Sequence, residues 1–268
     1  MHPSVKNLIK VFNHFRTLDR ILYNYLPKQV VADIPDPGFN RYQWEKGTLM
    51  FTDLAGFTSL LEMNSRQGEK GAKALHKVLN QYFRKMIRVF SKYGGNLLEF
   101  TGDAMLIQFP SDPKNPDIKR AIRAGLRMQR EMGEFSKLEI LGEDFSIAMR
   151  IGIHYGKFLT ADIGTPHRME HILLGDAVLS TKKAESHGKN ERVCLSPSTL
   201  KLVKEDFRLD MIEDGYGLIV DDLTEEELGD YEMIVPKKRM ASMVLFDHSH
   251  EGLVKAISDA IDKLEPLA

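Results

Sequence analysis

Cysteine is nearly absent from this sequence, and long apolar runs are absent altogether. The 268 residues include one cysteine, Cys194, which excludes an intramolecular disulfide and a thiol-based metal cluster. No stretch approaches the roughly 18 consecutive apolar residues of a membrane span. Lysines and asparagines interrupt the first residues before the apolar core of a secretory signal can form. We therefore expect a cytoplasmic protein without a membrane span.

An excess of charge of one sign is also missing. The chain has 37 Lys and Arg against 38 Asp and Glu, a formal net charge of −1. Because the two signs of charge are balanced, the composition does not predict nucleic acid or an anionic membrane as a partner. A hydrophobic content of 43% is typical of a globular protein, and the chain is long enough to bury a substantial core.

The pattern along the chain predicts three parts. Residues 1–46 carry apolar side chains at helical spacing and then DIPDPGF, so they are interpreted as a helical lead and a linker. Residues 47–235 alternate between strand-like and helix-like segments, which predicts an α/β or α+β domain. Residues 236–268 contain PKKR, a strand-like MVLF and a final amphipathic helix, and form a C-terminal extension.

Several elements of the middle part have clear signals. TLMFTDL predicts a strand that ends at Gly56, and apolar spacing predicts helices over 73–93, from residue 118 onward and over 176–188. NLLEFT and AMLIQF are separated only by Gly102 and Asp103, so they predict a hairpin with a two-residue turn. FSIAMRIGIHYG and KFLTADIG are interpreted as two strands that meet at Tyr155 and Gly156.

Two acidic residues follow or interrupt these strands. Asp53 lies at the end of the first strand, and Asp103 lies in the hairpin turn. Turn chemistry alone accounts for either residue, since Asp and Gly are common where strands end. If the first strand pairs beside the hairpin, however, both carboxylates face one pocket, and such a pair holds Mg²⁺ against substrate phosphates.

A helix is predicted directly after AGFT. Ser59 and Glu62 have the spacing of a capping box, in which the serine is the N-cap. The free N–H groups of such a helix end are suited to a phosphate. This feature adds a phosphate site beside the predicted metal site.

Four motifs in order carry a family resemblance. FTDLAGFT, GGNLLEFTGDAMLIQF, MRIGIHYG and IGTPHRMEHILLGDAV resemble successive motifs of the class III adenylate/guanylate cyclase catalytic domain, from about Gly47 to Thr199. The resemblance implies a ferredoxin-like βαββαβ core that works as a dimer. It also implies conversion of a nucleoside triphosphate into the 3′,5′-cyclic monophosphate and pyrophosphate.

The resemblance assigns roles to residues of this chain. Asp53 and Asp103 match the aspartates that bind two Mg²⁺ or Mn²⁺ ions, and the carbonyl of Leu54 matches a backbone ligand. Arg150 matches an arginine that reaches the triphosphate. The remaining substrate positions match the turns around the phosphates: Ala55, Gly56, Phe57, Thr58 and Gly102.

Four positions depart from the adenylate cyclase pattern. Glu99 stands where adenylate-specific members have lysine, and glutamate there is typical of guanylate-specific members. Ile172 stands at the second purine-reading position, where it offers no side-chain hydrogen bond. The transition-state asparagine and arginine fall on Leu179 and Lys183, and lysine lacks the planar fork of arginine.

These departures predict the metal-bearing half of a cyclase pair. The expected reaction is ATP to cyclic AMP, with a second cyclase domain supplied by a homodimer or by a complementary domain of the same longer protein. Two alternatives remain open. One is a guanylate-type cyclase, and the other is a degenerate cyclase-like module that binds nucleotide or a small effector and regulates a neighbour.

Overall fold

The computed structural model describes residues 10–17, 21, 25, 30, 41–112, 116–165 and 167–222. The chain splits into two compact units, Pro27–Met233 and a unit made of Met1–Leu26 with Ile234–Ala268. Within the latter unit residues 10–17 are helical. The predicted DIPDPGF linker, the PKKR segment, the MVLF strand and the final helix lie outside the described residues.

The unit Pro27–Met233 alternates strands and helices. In chain order its described elements are β1 (Arg41–Ala55), α1 (Phe57–Arg66), α2 (Gly68–Lys92), β2 (Asn96–Thr101), β3 (Ala104–Pro110), α3 (Asp117–Glu131), β4 (Leu138–Ile140), β5 (Glu143–Phe145), β6 (Ala148–Thr165), β7 (Arg168–Leu174), α4 (Asp176–His187), β8 (Val193–Leu195), α5 (Pro197–Leu200), β9 (Phe207–Met211) and β10 (Gly217–Asp222). Short 3₁₀ helices occupy Met132–Phe135 and Glu213–Gly215. Among the described helices, none is both long and apolar enough to cross a membrane.

One mostly antiparallel sheet organises this unit. Its strand order is β2-β3-β1-β6-β8-β10-β9, and β7 pairs with β6 outside that path. The neighbours β2-β3, β3-β1 and β1-β6 are antiparallel, whereas β6 and β8 are parallel. Strands β1, β2, β3 and β6 with their connecting helices therefore form a βαββαβ ferredoxin-like core. The predicted α+β fold is confirmed, and so is the two-residue turn between β2 and β3.

Both faces of the sheet are covered. Helices α2 and α3 bury apolar side chains on one face, where Tyr82, Met86 and Phe90 pack with Met50 and Ile107. On the other face α4 contributes to a smaller cluster, made of Leu49, Phe158 and Ala177. Successive residues of a strand point to opposite faces, so the odd-numbered positions from Leu49 to Asp53 lie on the α4 face.

The predicted break at Tyr155 and Gly156 is wrong. Strand β6 runs without interruption from Ala148 to Thr165. Gly156 pairs with Gly47 inside a ladder that joins all fifteen residues of β1 to β6. A glycine in a strand-like sequence favours a turn or a bulge, but here a partner strand of matching length holds the backbone extended. Strand β1 also begins at Arg41, six residues before the start expected for the main domain.

The predicted capping role of Ser59 is also wrong. Helix α1 already begins at Phe57, and the N–H of Leu60 donates to the carbonyl of Gly56 at 3.2 Å. Gly56 has a φ of +90°, and a Cβ there would lie 2.5 Å from the Ser146 carbonyl oxygen. The chain can therefore turn from strand into helix three residues earlier than the Ser/Glu spacing suggests, because only glycine fits this close approach.

Candidate active site

Asp53 lies near the end of β1 on the face that α4 covers. Its register partner in β6 is Arg150. The Nη2 group of Arg150 donates a hydrogen bond to Asp53 Oδ2 over 2.6 Å, and this bond is the main cause that raises the pKa of Arg150. The Asp53 side chain remains 29% exposed. An acid in an otherwise regular strand is thus held in a defined position and still meets solvent.

Asp103 reaches the same place from the hairpin. The register pair of β1 and β3 nearest to the hairpin turn joins Thr52 to Met105, so the turn lies beside the next residues of β1. Burial raises the pKa of Asp103, its own backbone N–H and that of Leu54 lower it by hydrogen bonding, and the negative charge of Asp53 raises it further. The fold therefore brings Asp53 and Asp103 together, although fifty positions separate them in the sequence.

These residues fit a divalent cation. Two neighbouring carboxylates repel each other, and the charge of Asp53 adds to the effect of burial in raising the pKa of Asp103. A cation bound between them would relieve that repulsion, and oxygen ligands of this kind suit Mg²⁺ or Mn²⁺. The roles of Asp53, Asp103 and the Leu54 carbonyl as ligands stay predictions.

The turn that follows Asp53 is suited to phosphate. Ala55 is the last residue of β1, Gly56 redirects the chain, and Phe57 and Thr58 open α1. The N–H groups in the first turn of a helix have no partner within the helix, and they favour an anion. Thr58 is exposed and Phe57 packs partly against the core. The four residues thus lie beside the acidic pair, as the phosphate prediction requires.

Glu185 is a residue of this site that the sequence interpretation missed. Its Oε1 lies 2.8 Å from Nε of Arg150, and its side chain is only 7% exposed. Burial raises the pKa of Glu185, the positive charge of Arg150 opposes that shift, and Asp53 adds to it. A signal was present, because Ala177, Thr181 and Ala184 place Glu185 on the buried face of α4. A buried acid requires a partner.

The four departing positions have a different character. Glu99 is exposed on β2, where its carboxylate accepts a hydrogen bond from Thr101 Oγ1 at 3.2 Å. Ile172 lies in β7 opposite Ala161 of β6. On α4, Leu179 is 58% exposed and Lys183 is exposed. Two of the four side chains, Ile172 and Leu179, are thus apolar, and the two charged ones, Glu99 and Lys183, are exposed.

The sequence matches one family model over most of the described unit. The model is described as the adenylate and guanylate cyclase catalytic domain, and it matches residues 39–216. Those bounds begin two residues before β1 and end one residue before β10.

Curated relatives include cyclases of both specificities. Adenylate cyclase type 10 of Rattus norvegicus is 28% identical over 180 residues, which cover 66% of this chain and 11% of that protein. Guanylyl cyclase C of Homo sapiens is 26% identical over 190 residues, which cover 69% of this chain and 17% of that protein. The chain thus spans only a small part of the length of these relatives.

Solved structures agree with the fold. The adenylyl cyclase CyaB from P. aeruginosa has a TM-score of 0.55 and 25% identity, covering 68% of this chain and 97% of that one. The guanylyl cyclase Cya2 has a TM-score of 0.53 and 27% identity, covering 70% and 95%. The chain therefore belongs to the adenylate and guanylate cyclase catalytic domain family, and it contains a nucleotidyl cyclase catalytic domain.

Proposed function

We propose that this chain converts ATP into 3′,5′-cyclic AMP and pyrophosphate as the metal-bearing half of a pair of cyclase domains. The observation that carries the proposal is the meeting of Asp53 and Asp103 at the end of β1, with Arg150 directly across the sheet. Carboxylates bind divalent cations, and a guanidinium binds the phosphate oxygens of a nucleoside triphosphate.

Each residue of the phosphate end has a defined task. Asp53 and Asp103 would hold two Mg²⁺ or Mn²⁺ ions, with the Leu54 carbonyl as a further ligand. When bound, the ions supply a lowered pKa for the ribose 3′-hydroxyl and neutralise charge on the phosphates. Arg150 and the first N–H groups of α1 bind the triphosphate oxygens. No nucleophilic side chain is needed, because the substrate hydroxyl itself attacks.

A second cyclase domain completes the site. Ile172 and Leu179 have no polar group that could read a purine or orient a ribose. Lys183 carries charge but not the two-pronged geometry of arginine. Both α4 positions are exposed, so their face of the helix is open to a partner. We infer that the purine and transition-state contacts come from a complementary domain of a longer protein, because a second copy of this chain would bring the same three residues.

We favour ATP over GTP as the substrate because adenylate cyclase type 10 proteins from several mammals are among the relatives of this chain. Glu99 is the residue that argues for GTP, since glutamate is typical of the guanylate-specific pattern. Glu99 is exposed, however, and its carboxylate already accepts a hydrogen bond from Thr101. Ile172 offers no second polar contact to a guanine.

A regulatory module is the second candidate. Arg150 occupies an oxygen of Asp53, and two of the substrate-reading positions are apolar. A domain with these features would bind nucleotide without turning it over and act on a neighbour. It differs from the first candidate in turnover, but not in nucleotide binding.

An activity assay separates these candidates. We expect the isolated chain with Mn²⁺ to bind ATP but to turn it over slowly, and a complementary cyclase domain to raise turnover. Asp53→Ala should reduce the activity of the assembled pair at least about a hundredfold, because it removes a metal ligand. Parallel assays with GTP decide the base.

Three results would contradict the proposal. Rapid turnover by the isolated chain would exclude the half-site. Unchanged activity of the Asp53→Ala pair would exclude the metal assignment. Nucleotide binding without turnover in every combination would favour the regulatory module.

A further inference from the structure

Arg150 is held on two edges by acids from two different elements. Its terminal Nη2 binds Asp53 of the neighbouring strand at 2.6 Å. Its Nε approaches Glu185 of helix α4 at 2.8 Å. Because the two contacts use different nitrogens of a planar fork, one contact can break while the other persists.

The two contacts differ in quality. The bond to Asp53 has hydrogen-bond geometry. Arg150 Nε and Glu185 Oε1 are both buried and have no hydrogen-bond partner, although they lie within ion-pair distance of each other. The guanidinium is thus oriented by Asp53, and its Nε–H is out of alignment with Glu185. A buried donor and acceptor that do not bond are costly.

The two acids also differ in how firmly they are fixed. Glu185 is nearly buried, and its backbone packs directly on β6 at Gly152, where a Cβ would lie 2.1 Å from the Glu185 nitrogen. Asp53 is 29% exposed at the open end of β1. Glu185 is therefore the fixed partner of Arg150, and Asp53 is the partner that solvent or a cation can reach.

We propose that Glu185 is a positioning residue that anchors Arg150 by its Nε, so that a cation arriving at Asp53 turns the guanidinium into alignment with Glu185 instead of releasing it. The terminal nitrogens, freed from Asp53, then point to the triphosphate. The cation step rests on the proposed function, whereas the anchoring step does not.

Charge favours this exchange. Asp53 and Glu185 both contact the guanidinium of Arg150, and the charge of Asp53 also acts on Asp103. A divalent cation at Asp53 and Asp103 takes over the neutralisation of these two acids. Arg150 then remains paired with Glu185, and its charge is available to phosphate oxygens.

Nuclear magnetic resonance of arginine side chains tests the anchor in the full chain. The Nε–H signal of Arg150 is assigned by its disappearance in Arg150→Lys, and its exchange with water is measured with and without Mg²⁺. We expect Mg²⁺ to shift the signal and to slow its exchange. Asp53→Asn should weaken the competing contact without any cation, and it should move the signal in the same direction.

Substitutions of Glu185 provide the second arm. Both are made in the Asp53→Asn background, where the guanidinium is free to align with Glu185. There Glu185→Gln keeps an oxygen that accepts from Nε, so exchange should stay within about twofold of Asp53→Asn alone. Glu185→Leu removes the acceptor but fills the space, and it should speed exchange at least about tenfold. Glu131→Gln is the matched control, because Glu131 pairs with Lys85 and Arg127 instead, and it should leave the Arg150 signal unchanged.

The outcomes separate the anchor from the proposed function. Unchanged exchange in Glu185→Leu, or faster exchange in Asp53→Asn, would overturn the anchor. If both variants behave as expected but Mg²⁺ has no effect, the anchor stands and the metal assignment fails. Should Glu185→Leu not fold, the other two variants still test the anchor. Exchange of the Nε–H should be slower in Asp53→Asn than in the parent chain, and adding Glu185→Gln should change it less than about twofold.

Discussion

The phosphate end and the base-reading positions of this domain are built in opposite ways. At the phosphate end, Asp53, Arg150 and Glu185 belong to three elements and are joined by contacts of 2.6 and 2.8 Å. Of the base-reading positions, Glu99 is exposed, and both transition-state positions, Leu179 and Lys183, are exposed as well. Charged groups that meet away from bulk water are costly unless they are paired, so the two sets of positions place very different demands on the fold.

We propose that this difference separates what the chain itself supplies to the site from what a partner domain supplies. Helix α4 shows both characters at once, since Glu185 faces the sheet while Leu179 and Lys183 face outward. The inward residue contacts Arg150, and the two outward residues are exposed.

The largest expected effect concerns two acids of the same hairpin. Asp103→Asn should weaken Mn²⁺ binding by the full chain at least about a hundredfold, because loss of even an outer partner of a metal ligand costs about 10- to 100-fold. Glu99→Gln, four residues away and exposed, should change the affinity less than about twofold. Titration calorimetry with Mn²⁺ measures both. Equal losses of Mn²⁺ affinity in the two variants would contradict the distinction between the phosphate end and the base-reading positions.

A smaller effect is expected from restoring the lost transition-state pair. Leu179→Asn combined with Lys183→Arg should raise turnover of ATP by the isolated chain about tenfold, which corresponds to about 1.4 kcal/mol of transition-state stabilisation. The physical reason is that both new side chains offer hydrogen bonds that the present ones lack. Turnover is measured with Mn²⁺ as the rate of cyclic nucleotide formation.

Leu202→Asn is the control for this variant, because Leu202 is 57% exposed and Leu179 is 58% exposed. It should leave turnover unchanged. If the double variant gains nothing while it still binds nucleotide, the partner's contribution extends beyond these two positions.

The smallest effect is on stability without divalent cations. The pKa of Asp103 is raised in the folded chain, so its ionised form destabilises the fold above that pKa. Asp103→Asn should therefore raise the melting temperature at pH 7, by about 1–2 °C because the group is partly screened by solvent. The gain should vanish as the pH falls through the folded pKa, where the parent carboxyl is also neutral. A gain that persists at low pH would have another origin.

The sequence permitted prediction of much of the fold. Period-two and helical spacing predicted the β2-β3 hairpin and the helix at 176–188, because these signals are local. The break at Gly156 and the cap at Ser59 were wrong for a common reason. Both were inferred from local turn and cap preferences, whereas a fifteen-residue ladder and a close approach at Gly56 decided the outcome.

By itself the sequence determined which acids, glycines and apolar faces exist, and ordered motifs were enough to identify the family. Only the tertiary structure decided that Asp53 meets Asp103 and that Arg150 binds Asp53 and Glu185 at once. The reason is that these residues lie 35 to 97 positions apart along the chain. Only strand register and helix packing on the sheet bring such residues within contact distance.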